Sequence, residues 1–139
     1  GRTHSAQVSR MPFKDLLSKS DIVSLHCPLT KNTAGLISTE ELGLMKDSAI
    51  LINTARGALV DEYALKKALQ ERTIAGAALD VLSVEPPVDG NVLLDESIPN
   101  LIITPHVAWI ARESRQRLVD QVASNVEAFL AGKPRNQVF

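Results

Sequence analysis

The chain is poor in cysteine, because Cys27 is the only one among its 139 residues. A single cysteine excludes an intramolecular disulfide and fits a reducing compartment. No apolar stretch approaches the roughly 20 residues that a membrane span requires. No basic start followed by an apolar stretch indicates a secretion signal either. These absences make the cytoplasm the expected location.

The chain also lacks an excess of charge of either sign. Its 15 Lys and Arg residues against 16 Asp and Glu residues give a formal net charge of -1, and no basic stripe stands out. We therefore expect neither nucleic acid nor a membrane as a partner. No metal site is expected either. An apolar fraction of 45% is ordinary for a globular protein, and the length suits one domain.

The start of the chain is unusual. It begins with Gly1 rather than Met and opens in a polar run that no structural element precedes. An intact reading frame rarely begins in this way. We expect a fragment, a processed product or the ordered part of a longer protein.

Short apolar segments alternate with helical patterns along the chain. Strands are predicted at 21–26, 49–53, 75–81 and 101–104, and helices at 13–19, 38–46, 61–72 and 113–131. Ser38 and Asp61 are typical residues to begin two of these helices. The alternation predicts an α/β fold with a Rossmann-type parallel sheet and flanking helices. Nearly continuous apolar strands predict that both sheet faces are covered, and the apolar stripe of 113–131 is interpreted as core packing.

Polar residues follow the predicted strands, and ligands bind beyond the carboxyl ends of strands in open parallel sheets. Arg56 follows the second strand and could hold a substrate carboxylate through two parallel donors. His106 follows the fourth strand and could exchange a proton with a carbonyl or hydroxyl oxygen as a hydride moves. Glu85, beyond the third strand, would favour the imidazolium form of His106 and would fix the tautomer of its neutral ring. Solvated turn residues are the alternative interpretation of the Arg and the Glu.

Four strings carry a resemblance: LHCPLT (25–30), ILINTARGALVDEYALKKAL (50–69), GAALDVLSVEPP (76–87) and TPHVAW (104–109). Together they resemble the D-2-isomer-specific 2-hydroxyacid dehydrogenase family. The tail FLAGKPRNQV is similar to that of bacterial glycerate dehydrogenases, also called hydroxypyruvate reductases. The resemblance implies an oxidoreductase that transfers a hydride between NAD or NADP and a small acid such as hydroxypyruvate, glyoxylate or D-glycerate. It also implies a homodimer.

The resemblance also implies roles for individual residues. The catalytic set would be Arg56, Glu85 and His106. The cofactor-binding residues would be Cys27, Pro28, Thr54, Ala55, Arg56, Asp80, His106, Val107, Ala108 and Trp109. Residues 1–110 would be the C-terminal part of the NAD(P)-binding domain. Residues 111–139 would be a long helix and tail that return toward the substrate domain.

Two further residues have a non-catalytic interpretation. His26 lies along an apolar strand and is interpreted as a core histidine that has found a hydrogen-bond partner. Trp109, the only tryptophan, is assigned either to the core or to the mouth of the active site.

The chain departs from the family pattern in one respect. It lacks the G-x-G-x-x-G turn that binds pyrophosphate, the acidic residue that selects NAD and the first βαβ unit. These parts and the N-terminal substrate domain are expected upstream of Gly1. The residues Gly1-Arg2-Thr3 resemble a loop that holds the 2′-phosphate of NADP in some relatives, so NAD and NADP both stay open.

An alternative of another class is a dinucleotide-sensing corepressor. The C-terminal-binding corepressors share close versions of the NTARG, GAALDV and PHxAW strings, so these motifs do not exclude it. Formate dehydrogenases carry a glutamine at the position of Glu85, which argues against that activity.

Overall fold

The computed structural model describes residues 10–98 and 100–138. The NADP hint in Gly1-Arg2-Thr3 lies outside the described residues. The chain divides into two compact units, Gly1–Pro105 and His106–Phe139. The predicted domain boundary after residue 110 stays a prediction.

The first unit contains a parallel sheet with helices between its strands, which confirms the predicted Rossmann-type α/β fold. The described residues of this unit contain four strands, which lie in the order β1-β2-β3-β4. The elements are α1 (Phe13–Lys19), β1 (Ile22–Leu25), α2 (Thr39–Leu44), β2 (Ile50–Asn53), α3 (Glu62–Gln70), β3 (Gly76–Leu79) and β4 (Leu101–Ile103). Two 3₁₀ turns, Gly57–Leu59 and Val92–Leu94, were not predicted.

The carboxyl ends of the four strands are aligned. Leu25 pairs with Asn53, Asn53 with Leu79, and Leu79 with Ile103. The residues that come next in each strand therefore leave the sheet along a single edge. This edge is where parallel sheets bind ligands.

The sheet has one covered face and one exposed face. Val23, Leu51 and Leu79 are buried on the covered face, in the same core cluster as Leu17 and Leu65 of the helices. The opposite face leaves Ile22 59%, Ile50 40% and Ile102 66% exposed. The prediction that both faces are covered is therefore wrong for the described residues. Right-handed crossovers that progress in one direction bring their helices to one side of a sheet, so α2 and α3 cover a single face.

The helix starts follow the predicted capping chemistry. The backbone N–H of Ser38 donates to Glu41 Oε2 at 3.1 Å, and Ser38 Oγ donates to the same oxygen at 2.8 Å. Asp61 Oδ1 accepts from the backbone N–H groups of Tyr63 and Ala64, both at 3.0 Å. Such caps contribute about 1 kcal/mol each, so the starts of α2 and α3 are fixed locally.

The second unit contains one long helix, α4 (Arg112–Leu130). None of its residues is buried. The apolar side chains of the predicted stripe are exposed, namely those of Leu118, Val119, Val122, Val126, Phe129 and Leu130. The helix is confirmed, but the prediction that its stripe packs in a core is wrong within the described part of the chain. None of the described helices combines the length and the apolarity needed to cross a bilayer.

An ion pair lies beside the 3₁₀ turn Val92–Leu94. Lys66 Nζ lies 2.8 Å from Asp95 Oδ2. Hydrogen bonds from Lys66 and then Ser97 hold the pKa of the Asp95 carboxyl well below its usual range. A carboxyl whose pKa is lower in the folded state than in the unfolded state stabilises the folded protein at pH values above its unfolded pKa of about 3.9. This stabilisation is lost as the pH falls toward the pKa of the folded state. When the pH is lowered from about 5 to about 3, we expect the free energy of unfolding of Asp95→Asn to decrease less than that of the parent.

Urea unfolding at the two pH values measures this difference. Asp89→Asn, the same change at another exposed aspartate, is the control and should keep the pH dependence of the parent. An Asp95→Asn protein whose unfolding midpoint shifts with pH as much as that of the parent would contradict the assignment.

Candidate active site

The segments that follow β1 and β2 form one cleft at the carboxyl edge of the sheet. Its lining residues are His26, Cys27, Pro28, Leu29, Thr54, Ala55 and Arg56, and its volume is about 720 Å³. Five of them are among the predicted cofactor-binding residues, and the structure brings them together. Their roles toward a cofactor stay predictions.

A buried asparagine shapes the turn that carries Arg56. Asn53 ends β2 and is 1% exposed. Its Nδ2 donates to the carbonyl of Arg56 at 2.8 Å, and its Oδ1 accepts from the N–H of Ala55 at 3.0 Å. Asn side chains stabilise turns by such local bonds. The sequence interpretation did not single out Asn53, although a polar residue ending an otherwise apolar strand is a signal that could have found it.

The guanidinium of Arg56 extends from this turn. The residue is exposed, and its Nη1 donates to the carbonyl of Ala55 at 2.6 Å. An exposed guanidinium beside a cleft can bind a carboxylate through its remaining donors. The geometry is therefore compatible with the predicted role in holding an acid group.

Gly57 packs the turn that carries Arg56 against the segment that follows β3. Gly57 is buried. A Cβ added there would lie 1.9 Å from the carbonyl carbon of Leu82 and 2.3 Å from the backbone nitrogen of Ser83. Only glycine permits so close an approach of two backbones. The segments that follow β2 and β3 are thus held together as one piece.

Glu85 belongs to the segment that Gly57 contacts. The residue is exposed, and its Oε1 accepts from the backbone N–H of Leu82 at 2.8 Å. This bond holds the Glu85 carboxylate close to Leu82, three residues earlier in the chain. Arg56 and Glu85 therefore project from two segments that meet where Gly57 packs against Leu82.

Asp80 is a buried carboxylate at the same edge. It follows β3 directly and is 4% exposed. Thr104, which follows β4, donates from Oγ1 to Asp80 Oδ1 at 2.5 Å. A buried carboxylate is costly unless it has partners, and Thr104 provides one. The predicted contact of Asp80 with a cofactor stays a prediction.

The remaining predicted residues, His106, Val107, Ala108 and Trp109, begin the second unit. His106 has a positive φ of 54°, a backbone conformation that is uncommon for a residue other than glycine and that often marks functional sites. Its carbonyl accepts from Trp109 Nε1 at 3.1 Å. Trp109 is 55% exposed, so the interpretation as core is wrong. The partnership of His106 with Arg56 and Glu85 stays a prediction.

The interpretation of His26 as a core histidine is wrong. The residue is exposed, and its Nε2 lies 2.8 Å from Ser24 Oγ. Alternation along β1 buries Val23 and Leu25 and places Ser24 and His26 on the other face. That face is the one that α2 and α3 do not cover. The expected hydrogen-bond partner exists, but on the exposed side of the sheet.

Metal ions in proteins are commonly bound by clusters of His, Cys, Asp or Glu side chains. Within residues 10–98 and 100–138, no group of three or more such side chains is placed to hold a metal ion.

Comparison with known proteins places this geometry in context. The family model described as "D-isomer specific 2-hydroxyacid dehydrogenase, NAD binding domain" matches residues 2–108. Glycerate dehydrogenase of Methylorubrum extorquens is 58% identical over 126 residues, which cover 91% of this chain and 40% of the relative. The chain thus spans about 40% of the length of this curated relative.

Two solved structures share the fold. A D-isomer specific 2-hydroxyacid dehydrogenase from Lactobacillus delbrueckii ssp. bulgaricus, in its NAD complexed form, has a TM-score of 0.81 and 38% identity, covering 93% of this chain and 42% of that one. An acyclic imino acid reductase in complex with NADPH and D-Arg also has a TM-score of 0.81, with 34% identity, covering 99% of this chain and 43% of that one. The fold is therefore found with either nicotinamide dinucleotide.

Proposed function

Because the chain belongs to the D-isomer specific 2-hydroxyacid dehydrogenase family, we propose that the complete protein is an NAD(P)-dependent oxidoreductase. It transfers a hydride between the nicotinamide cofactor and a small 2-keto or D-2-hydroxy acid. We propose hydroxypyruvate, glyoxylate or D-glycerate as the substrate. The observation that carries the proposal is the cleft after β1 and β2, with the exposed Arg56 on its wall.

The chemistry of the residues around the cleft fits a nicotinamide dinucleotide. Cys27, Pro28 and Ala55 offer small apolar surfaces, and Thr54 adds a hydroxyl group. Asp80 would accept from the carboxamide, and residues His106 to Trp109 would complete the contacts. Pockets that combine apolar walls with a few polar groups are typical of cofactor sites. When bound, the nicotinamide supplies or accepts the hydride.

The chain's own residues perform the remaining tasks. Arg56 holds the substrate carboxylate and thereby orients the neighbouring carbonyl. His106 donates a proton to the carbonyl oxygen during reduction and takes it from the hydroxyl during oxidation. Glu85 stabilises the protonated imidazole and orients its ring. The closure of Gly57 on Leu82 supports this assignment, because it ties the segments that carry Arg56 and Glu85 to each other.

The proposals for the domain boundaries and for the oligomeric state rest on the similarity to the same relatives. Residues 1–110 form the C-terminal part of the NAD(P)-binding domain, and 111–139 form a helix and tail that return toward the substrate domain. The exposed apolar stripe of α4 supports this arrangement, since it has no cover among the described residues. We propose a homodimer for the complete protein.

Cofactor binding and turnover together test the proposal. The complete protein is titrated with NADH and with NADPH while tryptophan emission is followed, with Trp109→Phe as the control. We then measure oxidation of the better cofactor with hydroxypyruvate and with glyoxylate. We expect saturable quenching that is weakened in the control, together with turnover. Quenching without turnover would favour the corepressor alternative, and binding of neither cofactor would overturn both.

A further inference from the structure

A second carboxylate, that of Glu62, contacts the loop that carries Glu85. Glu62 is the first residue of α3. Its Oε1 accepts from the backbone N–H of Ser83 at 2.8 Å. Its Oε2 accepts from Ser83 Oγ at 2.7 Å and from Asn91 Nδ2 at 2.9 Å. One side chain thus receives three hydrogen bonds from residues far away in sequence.

These bonds close the loop on itself. Ser83 stands at one end of the segment 83–91 and Asn91 at the other, so the same carboxylate holds both ends. Asn91 Oδ1 also accepts from the N–H of Leu93 at 2.9 Å, which joins the far end to the 3₁₀ turn. Glu85 lies inside the closed segment.

The near end of the loop is fixed from two directions. Gly57 packs against the backbone of Leu82 and Ser83, and Leu82 donates its N–H to Glu85 Oε1. Glu62 holds Ser83, which is the last residue of that contact and the first residue of the loop. The direction in which the chain leaves Ser83 therefore depends on the Glu62 carboxylate, and the position of Glu85 depends on that direction.

We propose that Glu62 is a positioning residue that sets the placement of Glu85; the inference rests on the function proposed above. A role limited to stability is the competing explanation, because a carboxylate in the first turn of a helix also interacts favourably with the helix dipole. The two explanations differ in turnover. A positioning role lowers kcat far more than it raises the KM for the acid, because Asn53 also holds the Arg56 turn through bonds that do not involve Glu62.

The hydrogen-bond pattern allows a swap experiment in the complete protein. Glu62→Gln offers a single accepting oxygen, so its amide nitrogen faces an N–H donor of either Ser83 or Asn91. Asn91→Asp places two carboxylates against each other. The double variant Glu62→Gln/Asn91→Asp restores a donor opposite an acceptor. Glu71→Gln makes the same change at an exposed glutamate that follows α3 and serves as the matched control.

We expect each single variant to lower kcat by about 10-fold to 10²-fold, with the KM for the acid within about twofold of the parent. The double variant should recover most of the lost kcat, and Glu71→Gln should match the parent. Ser83→Ala removes only the hydroxyl bond and should give a smaller decrease. It keeps the test informative if a charged variant fails to fold.

Glu85→Gln, measured in parallel, separates failure of this inference from failure of the proposed function. If Glu85→Gln lowers kcat while Glu62→Gln lowers only the melting temperature, Glu62 has a structural role and the inference is overturned, but the function stands. Absence of rescue in a folded double variant would also overturn it. A parent protein that turns over no 2-keto acid would remove the proposed function and, with it, the positioning role.

Discussion

Replacing His106 by Gln in the complete protein is expected to lower kcat by about 10²-fold to 10⁴-fold, the usual contribution of an acid/base group. Glutamine keeps a hydrogen-bonding side chain of similar size but cannot donate and recover a proton near neutral pH. The affinity for the reduced cofactor should fall far less than kcat, because the other proposed cofactor contacts remain. Steady-state kinetics with saturating cofactor, together with a cofactor titration, measure the two quantities separately.

Arg56→Lys is the informative comparison for this variant. Lysine keeps the positive charge and loses the planar pair of donors, so we expect mainly a higher KM for the acid together with a lower kcat. The two variants therefore separate proton transfer from carboxylate binding. A His106→Gln protein with the turnover of the parent would contradict the proposed mechanism, whatever the result at Arg56.

The sequence predicted the edge of the sheet where the cleft lies because local signals specify it. Four short apolar segments separated by helical patterns require parallel strands, and parallel strands bring their carboxyl ends to one edge. The observed register aligns Leu25, Asn53, Leu79 and Ile103 there. Helix starts were predictable for the same reason, since Ser38 and Asp61 bond within their own first turns.

Burial on the second face of the sheet could not be predicted from the strand sequences. Segments such as IVSL and ILIN carry apolar residues on both sides. That pattern suits both faces to burial and does not reveal what covers each one. The helices between the strands cover a single face, so Ile22 and Ile50 remain exposed. The same limit explains the error at His26, whose neighbours along the chain are apolar but whose side of the strand is uncovered.

Contacts between distant loops were likewise beyond local reasoning. Glu62 looks like an ordinary first-turn residue of a helix, and nothing near it in sequence indicates that it accepts from Ser83 and Asn91. Gly57 stands in the NTARG string without any positive φ or turn signal of its own. Both residues acquire their importance from a segment that the chain reaches more than 20 residues later.

The contact of Gly57 leads to the largest expected change in stability. Gly57→Ala should destabilise the protein by about 1–3 kcal/mol or more, the range for overpacking a close-packed site. A Cβ there would lie 1.9 Å from the carbonyl carbon and 2.1 Å from the carbonyl oxygen of Leu82. These are backbone atoms, so no side-chain rotation relieves the overlap, and the segments after β2 and β3 must move apart.

Gly43→Ala provides the matched control. Gly43 lies within α2, and a Cβ added there meets no atom within 4 Å. Alanine is favoured over glycine in a helix by roughly 0.5–1 kcal/mol, so this variant should be slightly more stable than the parent. Urea unfolding of both variants measures the difference, and equal effects would contradict the close approach at Gly57. Because the displaced segment also carries Glu85, Gly57→Ala protein that still folds should lose turnover beyond its loss of stability, whereas Gly43→Ala protein should keep it.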